Sequence, residues 1–342
     1  MTPGPLPLAA ATVFVALLIT AASAYFARVE LPRPPIGTYQ RSDIVVMSVI
    51  LIVAPLGYLS LPRDVVATIF GVVMLSAVQL TLAPFIGGRA ALASGVVLCG
   101  ATAAAWLLHR PGLTAGLSDA VLTIAVVGVA NLWAQGGIRA GQLAAFAFLL
   151  TGYDLVATGL TTVMTRFATE VQGLPFAPVL VIAQGRAPVS IGLGDLLMLL
   201  LFPLTAAKAF GRLAGQVAAV AGIAVTAVVA LLFWLNVLGT TVPLLTVLGP
   251  VIVGQYLLWR RLGRRERSVL EWRSGAPVVT APVDRLAVLE AAGRVVLDMG
   301  VTEGTWVAID RDRVVGTGPS PGLAHRSARR NGHGAVPVVR QA

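Results

Sequence analysis

Two aspartates lie within long apolar stretches of this 342-residue chain. Asp154 is the only charged residue in 149–157, and Asp195 is the only one in 191–200. An ionised carboxylate in the hydrocarbon of a membrane costs about 3 kcal/mol or more, so a charged residue there usually belongs to a functional site. Asp154 and Asp195 are therefore the first candidates for chemistry.

Two carboxylates on consecutive helices can face each other across the helix pair. Like charges a few Å apart cannot both ionise, so the pair would share one proton. One carboxylate then acts as a base toward water and the other as an acid toward a carbonyl oxygen, which is the chemistry of aspartic proteases. This chemistry needs no metal or organic cofactor, and we expect none.

The residues around both aspartates resemble known motifs. Tyr153-Asp154, then Gly192-Leu193-Gly194-Asp195, then Pro243-Leu244-Leu245 follow the order of the YD, GxGD and PAL motifs of the presenilin and signal peptide peptidase family. The chain is more similar to the signal peptide peptidase-like and prokaryotic members, and it departs from the PAL motif at Leu244, where the family has alanine. The resemblance implies an intramembrane aspartyl protease with Asp154 and Asp195 as catalytic residues. It implies that the site is shaped by Tyr153, Gly192, Leu193, Gly194, Pro243, Leu244 and Leu245.

The glycines and the proline of these motifs have general physical roles. Gly192 and Gly194 lack a Cβ atom, which allows either an extended substrate or a neighbouring helix to approach closely. Pro243 cannot donate a backbone hydrogen bond and could loosen a helix start beside the aspartates. It could equally be an ordinary proline in the first turn of a helix.

The composition is that of a polytopic membrane protein. Hydrophobic residues make up 57% of the chain and charged residues 12%, against about 25% charged in soluble domains. Of the 25 Lys and Arg residues, 14 lie at or after Arg260. The net charge of +10 is therefore largely that of a basic segment following the last span, as on a cytoplasmic membrane face, and needs no nucleic-acid partner.

Hydropathy predicts an all-α membrane protein with about nine transmembrane helices. The predicted spans are 6–26, 45–61, 65–86, 90–108, 117–134, 141–164, 190–207, 213–235 and 241–259. The distribution of Arg and Lys favours the N-terminus outside and the C-terminus inside. We interpret the first span as an uncleaved helix rather than a signal peptide, because no basic residue precedes it. With this orientation, both aspartates and Pro243 fall in the outer half of the membrane.

Two further features lie near the seventh span. Residues 179–183 (Val-Leu-Val-Ile-Ala) have the composition of a short β-strand, in a loop similar to the family segment that pairs with extended substrates. The alternative is a loop that only packs on the bundle. Lys208, near the inner end of the span, is interpreted as an anchor whose amine reaches the membrane surface.

The domain organisation follows from these spans and from the change in composition after Arg260. We assign 1–140 to the first five helices, 141–260 to the catalytic helices, 261–283 to a basic linker, 284–317 to a small cytosolic α+β appendage and 318–342 to a disordered tail. Within the appendage we expect a helix over 284–299 and a β-hairpin around residues 310–313.

These observations predict a multi-pass protein of the cell membrane that hydrolyses peptide bonds within transmembrane segments. Its expected partners are transmembrane peptide or protein substrates and the lipid bilayer. Three alternatives stay open. The chain could be a prepilin-peptidase-like protease, although Leu196 and Leu197 follow the GxGD motif where that family has a lysine nearby. It could be an ion- or proton-coupled transporter with the aspartates as a relay, or a relative that no longer cleaves.

Overall fold

The computed structural model describes residues 4–31, 41–161, 163–171, 173–183, 189–235, 237, 244–275, 278, 305–310, 313–331 and 338–340. The chain divides into two compact units after Leu258. The first unit is helical apart from one β-hairpin, and the second contains a small sheet and helices. The predicted helix over 284–299 and the motif residue Pro243 lie outside the described residues.

The helices of the first unit follow the apolar stretches of the sequence. They are α1 (Pro5–Arg28), α2 (Arg41–Leu59), α3 (Arg63–Ile86), α4 (Gly88–Leu107), α5 (Pro111–Gly136), α6 (Ala140–Asp154), α7 (Val163–Val171), α8 (Leu193–Phe210), α9 (Arg212–Trp234) and α10 (Leu245–Arg261), the last of which crosses the division between the units. The hairpin strands β1 (Val179–Ala183) and β2 (Val189–Gly192) precede α8.

Seven helices within the described part of the chain are long and apolar enough to span a membrane. They are Pro5–Arg28, Arg63–Ile86, Gly88–Leu107, Pro111–Gly136, Ala140–Ala157, Leu193–Phe210 and Arg212–Trp234. The second predicted span corresponds to a shorter apolar stretch, Val45–Leu59, and the ninth to α10, which has 17 residues. A membrane protein is thus supported, and the count of nine spans and their orientation stay predictions.

The predicted boundaries of the sixth and seventh spans are wrong. The sixth is α-helical only as far as Asp154 and continues as a π-helical turn over Leu155–Leu160. The stretch after Asp154 is rich in β-branched residues and contains Gly159, both of which weaken an α-helix. The seventh begins as strand β2, and α8 starts only at Leu193.

Helix α8 lies at the centre of the first unit. It packs against α1, α5, α6 and α9, and most of its leucines are buried, with Leu196, Leu199, Leu200 and Leu201 each fully buried. A helix that is apolar all round is expected in a core rather than at a surface. Because Asp195 lies in its first turn, α8 gives one of the candidate carboxylates a rigid support.

The interpretation of Lys208 as a surface anchor is wrong. Its side chain is only 1% exposed, and its Nζ donates hydrogen bonds to the carbonyl oxygens of Ala134 (2.6 Å) and Ile138. These carbonyls lie at the C-terminal end of α5, where the helix leaves acceptors without intrahelical donors and favours a cation. Lys208 therefore fastens α8 to the end of α5.

Replacing Lys208 by Met should destabilise the protein. The variant keeps much of the side-chain volume but leaves two buried carbonyl oxygens without their donor, at an expected cost of about 2–3 kcal/mol. Thermal unfolding in detergent, followed by the loss of monodisperse protein, measures the effect. Arg212→Met is the matched control, because Arg212 is an exposed cation four residues further on. Equal unfolding temperatures for the two variants would contradict the role of Lys208.

The second unit contains an antiparallel sheet in the order β4-β3-β5, formed by β3 (Trp306–Asp310), β4 (Arg313–Gly318) and β5 (Val338–Arg340). The predicted β-hairpin is confirmed by the pairing of β3 with β4. The predicted disordered tail is wrong for the residues that form β5 and a helix, α12 (Pro321–Arg330), after the short helix α11 (Val269–Arg273).

Helix α12 is held by small residues. Ala324 and Ala328 are fully buried, one turn apart, and pack with Ala308 and Val315 of the sheet. A Cβ atom at Gly316 would lie 2.6 Å from the Ala324 carbonyl oxygen, so this strand position must be glycine for the helix to approach. Burial of small residues explains how a segment of low hydrophobicity folds here.

Candidate active site

The β-hairpin leads directly into α8 and brings Asp195 to its position. Strands β1 and β2 pair antiparallel with Leu180 opposite Ile191, which confirms the predicted strand at Val179–Ala183. Gly192 ends β2 and Leu193 begins α8, where the Leu193 N–H donates to the Pro178 carbonyl oxygen at 2.9 Å. The GxGD motif is therefore a junction between strand and helix.

Asp195 is oriented by the segment that resembles the PAL motif. Its Oδ1 accepts a hydrogen bond from the Leu245 N–H at 3.1 Å. Its Oδ2 is directed toward Gly192, where an added Cβ atom would lie 3.5 Å away. A carboxylate in the first turn of a helix also lies where the helix dipole favours negative charge. The Leu245 N–H thus fixes one oxygen of Asp195, and the other is directed toward Gly192.

Asp154 is the last residue of α6 and is 8% exposed. Helix α6 packs against α8, whose first turn contains Asp195. Tyr153, the residue before Asp154, is partly buried. The π-helical turn that begins at Leu155 is of a kind found frequently at functional sites.

Leu245 joins the two aspartate helices. While its N–H donates to Asp195, its carbonyl oxygen lies 3.1 Å from Thr151 Oγ1, whose single proton is shared with the Ala147 carbonyl oxygen at 2.8 Å. Thr151 lies in α6, three residues before Asp154. Leu244 is buried, and its carbonyl oxygen accepts the first helical hydrogen bond of α10, from Leu248 at 2.9 Å. Segments from all three motifs therefore meet at one place.

Helix α10 approaches α6 closely at Gly249. A Cβ atom there would overlap Thr151 Oγ1 and lie 3.1 Å from the Ala147 carbonyl oxygen. Further along the same helix pair, the Tyr256 ring packs over Gly141. Glycine at 249 is thus required for the Thr151–Leu245 hydrogen bond to form.

Gly249→Ala should therefore destabilise the packing of α10 on α6 and reduce any activity that depends on Asp195. We expect a loss of about 1–3 kcal/mol, typical of overpacking. The matched control is Gly254→Ala, because a Cβ atom at Gly254 on the same helix meets no described atom within 4 Å. The control should be neutral or stabilising by about 1 kcal/mol through helix propensity. Thermal unfolding of both variants in detergent makes the comparison, and a Gly249→Ala variant as stable as the control would contradict the close contact.

Gly194 differs from Gly249 in its surroundings. It is exposed, and a Cβ atom at this position would meet no described atom within 4 Å. Among the described residues, no other helix makes the close approach to Gly194 that was one of the two predicted uses of this glycine. As far as the described residues go, the space beside Gly194, one residue before Asp195, is open.

Sequence reasoning did not identify Asp119 as part of this region. In the structure its Oδ1 accepts a hydrogen bond from the Val181 N–H in β1 at 3.0 Å. The neighbouring Ser118 Oγ accepts one from the Phe176 N–H at 3.3 Å. The sequence signal of Asp119 was the same as that of Asp154, since each is a lone carboxylate in an apolar stretch.

Comparisons of the chain with protein-family models, with curated proteins and with solved structures give no significant match. The three motifs and their arrangement are therefore the basis on which function is inferred. Chemically, this arrangement offers two carboxylates on packed helices, and one oxygen of Asp195 is fixed by the Leu245 N–H. Beside them, no described atom lies within 4 Å of where a Cβ atom at Gly194 would be.

Proposed function

We propose that the chain is an intramembrane aspartyl protease, with Asp154 and Asp195 as its catalytic pair. The observation that carries the proposal is the double hydrogen bonding of Leu245, whose N–H binds the Asp195 side chain while its carbonyl oxygen binds the Thr151 side chain, three residues before Asp154. A chance resemblance of three short motifs would not require these segments to lie side by side, so the contacts of Leu245 support the proposal.

The proposed reaction is the hydrolysis of a peptide bond in a transmembrane substrate. The two carboxylates share one proton, because both cannot be charged at short range. The ionised carboxylate takes a proton from water, which attacks the carbonyl carbon while the protonated carboxyl donates to the carbonyl oxygen. The tetrahedral diol then collapses: its C–N bond breaks as the carboxyl that took the water proton gives it to the leaving amine, and the other carboxylate takes back the proton from the diol hydroxyl. Leu245 restrains Asp195 so that Oδ2 is the oxygen that takes part.

The substrate would reach the site in an extended conformation. A helix conceals its carbonyl groups in its own hydrogen bonds, so a cleavable segment must unwind. The hairpin ends at the GxGD junction, and an extended segment could pair with it before reaching the open space at Gly194. The wider proposal includes about nine spans in the cell membrane, with the N-terminus outside, as the distribution of arginines indicates.

The test is cleavage by the purified chain in lipid vesicles. A single-span substrate with a tag at each end is reconstituted with the protein, and the products are mapped by mass spectrometry. Cleavage within the apolar span supports the proposal. The contrary result is an intact substrate together with proton-coupled solute uptake by the same vesicles, which would favour a transporter. Cleavage confined to the membrane-flanking residues on the cytosolic side would instead favour a prepilin-peptidase-like enzyme.

A further inference from the structure

The hydrogen bond between Asp119 and Val181 determines which edge of the hairpin is available. A strand N–H that donates to a helix side chain points away from its partner strand. Val181 lies opposite Ser190, so this pair does not exchange hydrogen bonds, and the neighbouring pair Leu180–Ile191 does. The outer edge of β1 is therefore occupied by α5 at Val181.

The same alternation determines the direction of the groups in β2. Ile191 faces β1, and so does Leu193, whose N–H donates to the Pro178 carbonyl oxygen. The backbone N–H groups of Ser190 and Gly192 consequently face the opposite edge. Ser190 is exposed. This second edge leads directly to Asp195, three residues after Gly192.

The attachment of β1 to α5 has a second point. Ser118, beside Asp119, accepts a hydrogen bond from the Phe176 N–H just before β1. Phe176 has a positive φ of 63°, and its ring lies 3.1 Å from the position that a Cβ atom would take at Gly71. Two side chains of α5 thus hold the backbone of the segment that enters the hairpin.

We propose that Asp119 is a positioning residue for proteolysis. By covering the outer edge of β1, it leaves the edge of β2 as the place where an extended substrate pairs, and so fixes which peptide bond reaches Asp195. This role rests on the proposed function. An acidic side chain suits it because a carboxylate accepts strongly from a backbone N–H and donates nothing to a strand.

The test compares Asp119→Leu with Asp119→Asn on the same tagged substrate in vesicles. Leucine removes the acceptor, whereas asparagine retains an oxygen that can accept from Val181. We expect Asp119→Leu to raise KM by about tenfold with kcat within about twofold, and to spread cleavage over neighbouring bonds. Asp119→Asn should restore a single cleavage site. A purely structural role would reduce the active fraction, and thus apparent kcat, without changing KM or the site.

Ser190→Pro provides a second variant that does not depend on Asp119. Proline is tolerated at an edge position whose N–H faces away from the sheet, so the variant should fold and should also raise KM. Amide hydrogen exchange of the peptide 176–183 supplies a readout without proteolysis and should accelerate in Asp119→Leu but not in Asp119→Asn. A wild-type chain that does not cleave would overturn the proposed function. An active wild type whose Asp119→Leu variant keeps its KM and cleavage site would overturn only the role of Asp119.

Discussion

Asp154→Asn and Asp195→Asn should each lower the rate of substrate cleavage by at least about 10³-fold, because a general acid–base pair fails when either member can no longer exchange a proton. Asparagine has nearly the same shape as aspartate, so the hydrogen bond from the Leu245 N–H to residue 195 can be kept. The double variant should be no slower than either single variant, since groups that act as a unit have non-additive effects. Rates of product formation in vesicles measure all three.

The control for these variants is Asp64→Asn. Asp64 is an exposed residue in the first turn of α3 and has no part in the proposed chemistry. Its variant should cleave at the wild-type rate. A catalytic acid or base should lose far more than tenfold in rate when it is replaced. If either Asp154→Asn or Asp195→Asn kept more than about a tenth of the wild-type rate, the assignment of that residue would be wrong.

Leu245→Pro should reduce cleavage by about 10- to 100-fold by removing the backbone N–H that donates to Asp195. Leu245 is the first residue of α10, a position where proline fits a helix because its missing N–H is not needed within the helix. The substitution therefore deletes the donor to Asp195 with little effect on the helix itself.

Leu245→Ala separates the backbone effect from the side-chain effect. It removes most of the buried side chain but keeps the N–H donor. We expect Leu245→Ala to be less stable than the wild type by about 2–5 kcal/mol, as for buried leucines generally, yet to keep a higher kcat than Leu245→Pro. Equal kcat values for the two folded variants would show that the hydrogen bond to Asp195 does not contribute.

The features that could be predicted from the sequence are those encoded locally. The lengths of the apolar stretches predicted most of the candidate membrane-spanning helices, because burial of a helix in lipid depends mainly on its own composition. The strand at Val179–Ala183 and the hairpin after Trp306 were likewise indicated by runs of β-branched residues. The involvement of Asp195 with the Leu245 segment followed the motif order, although the hydrogen bond itself was not predictable.

The features that could not be predicted depend on distant partners. Lys208 looked like a surface anchor because its partners, Ala134 and Ile138, are about 70 residues away in the sequence. Asp119 has its partner 62 residues away. Helix α12 is stabilised by its contact with the sheet. The hydrophobicity of its own residues gives no sign of this contact. Backbone and side-chain contacts between separate elements are what the local pattern omits.

Helix α5 is attached to α8 near its C-terminal end and to the hairpin before α8 at Asp119, eight residues after its start. Lys208 binds the last turn of α5 from within α8, and Asp119 binds the hairpin that continues into α8. The distance from Asp195 to Lys208 along α8 is about 20 Å, and that from Asp119 to Ala134 along α5 is about 22 Å, at 1.5 Å per residue. Two attachments this far apart oppose sliding of either helix along the other. If Asp154 and Asp195 act as a pair, a change in their spacing would then have to come from α6, by winding or unwinding of the π-helical turn after Asp154.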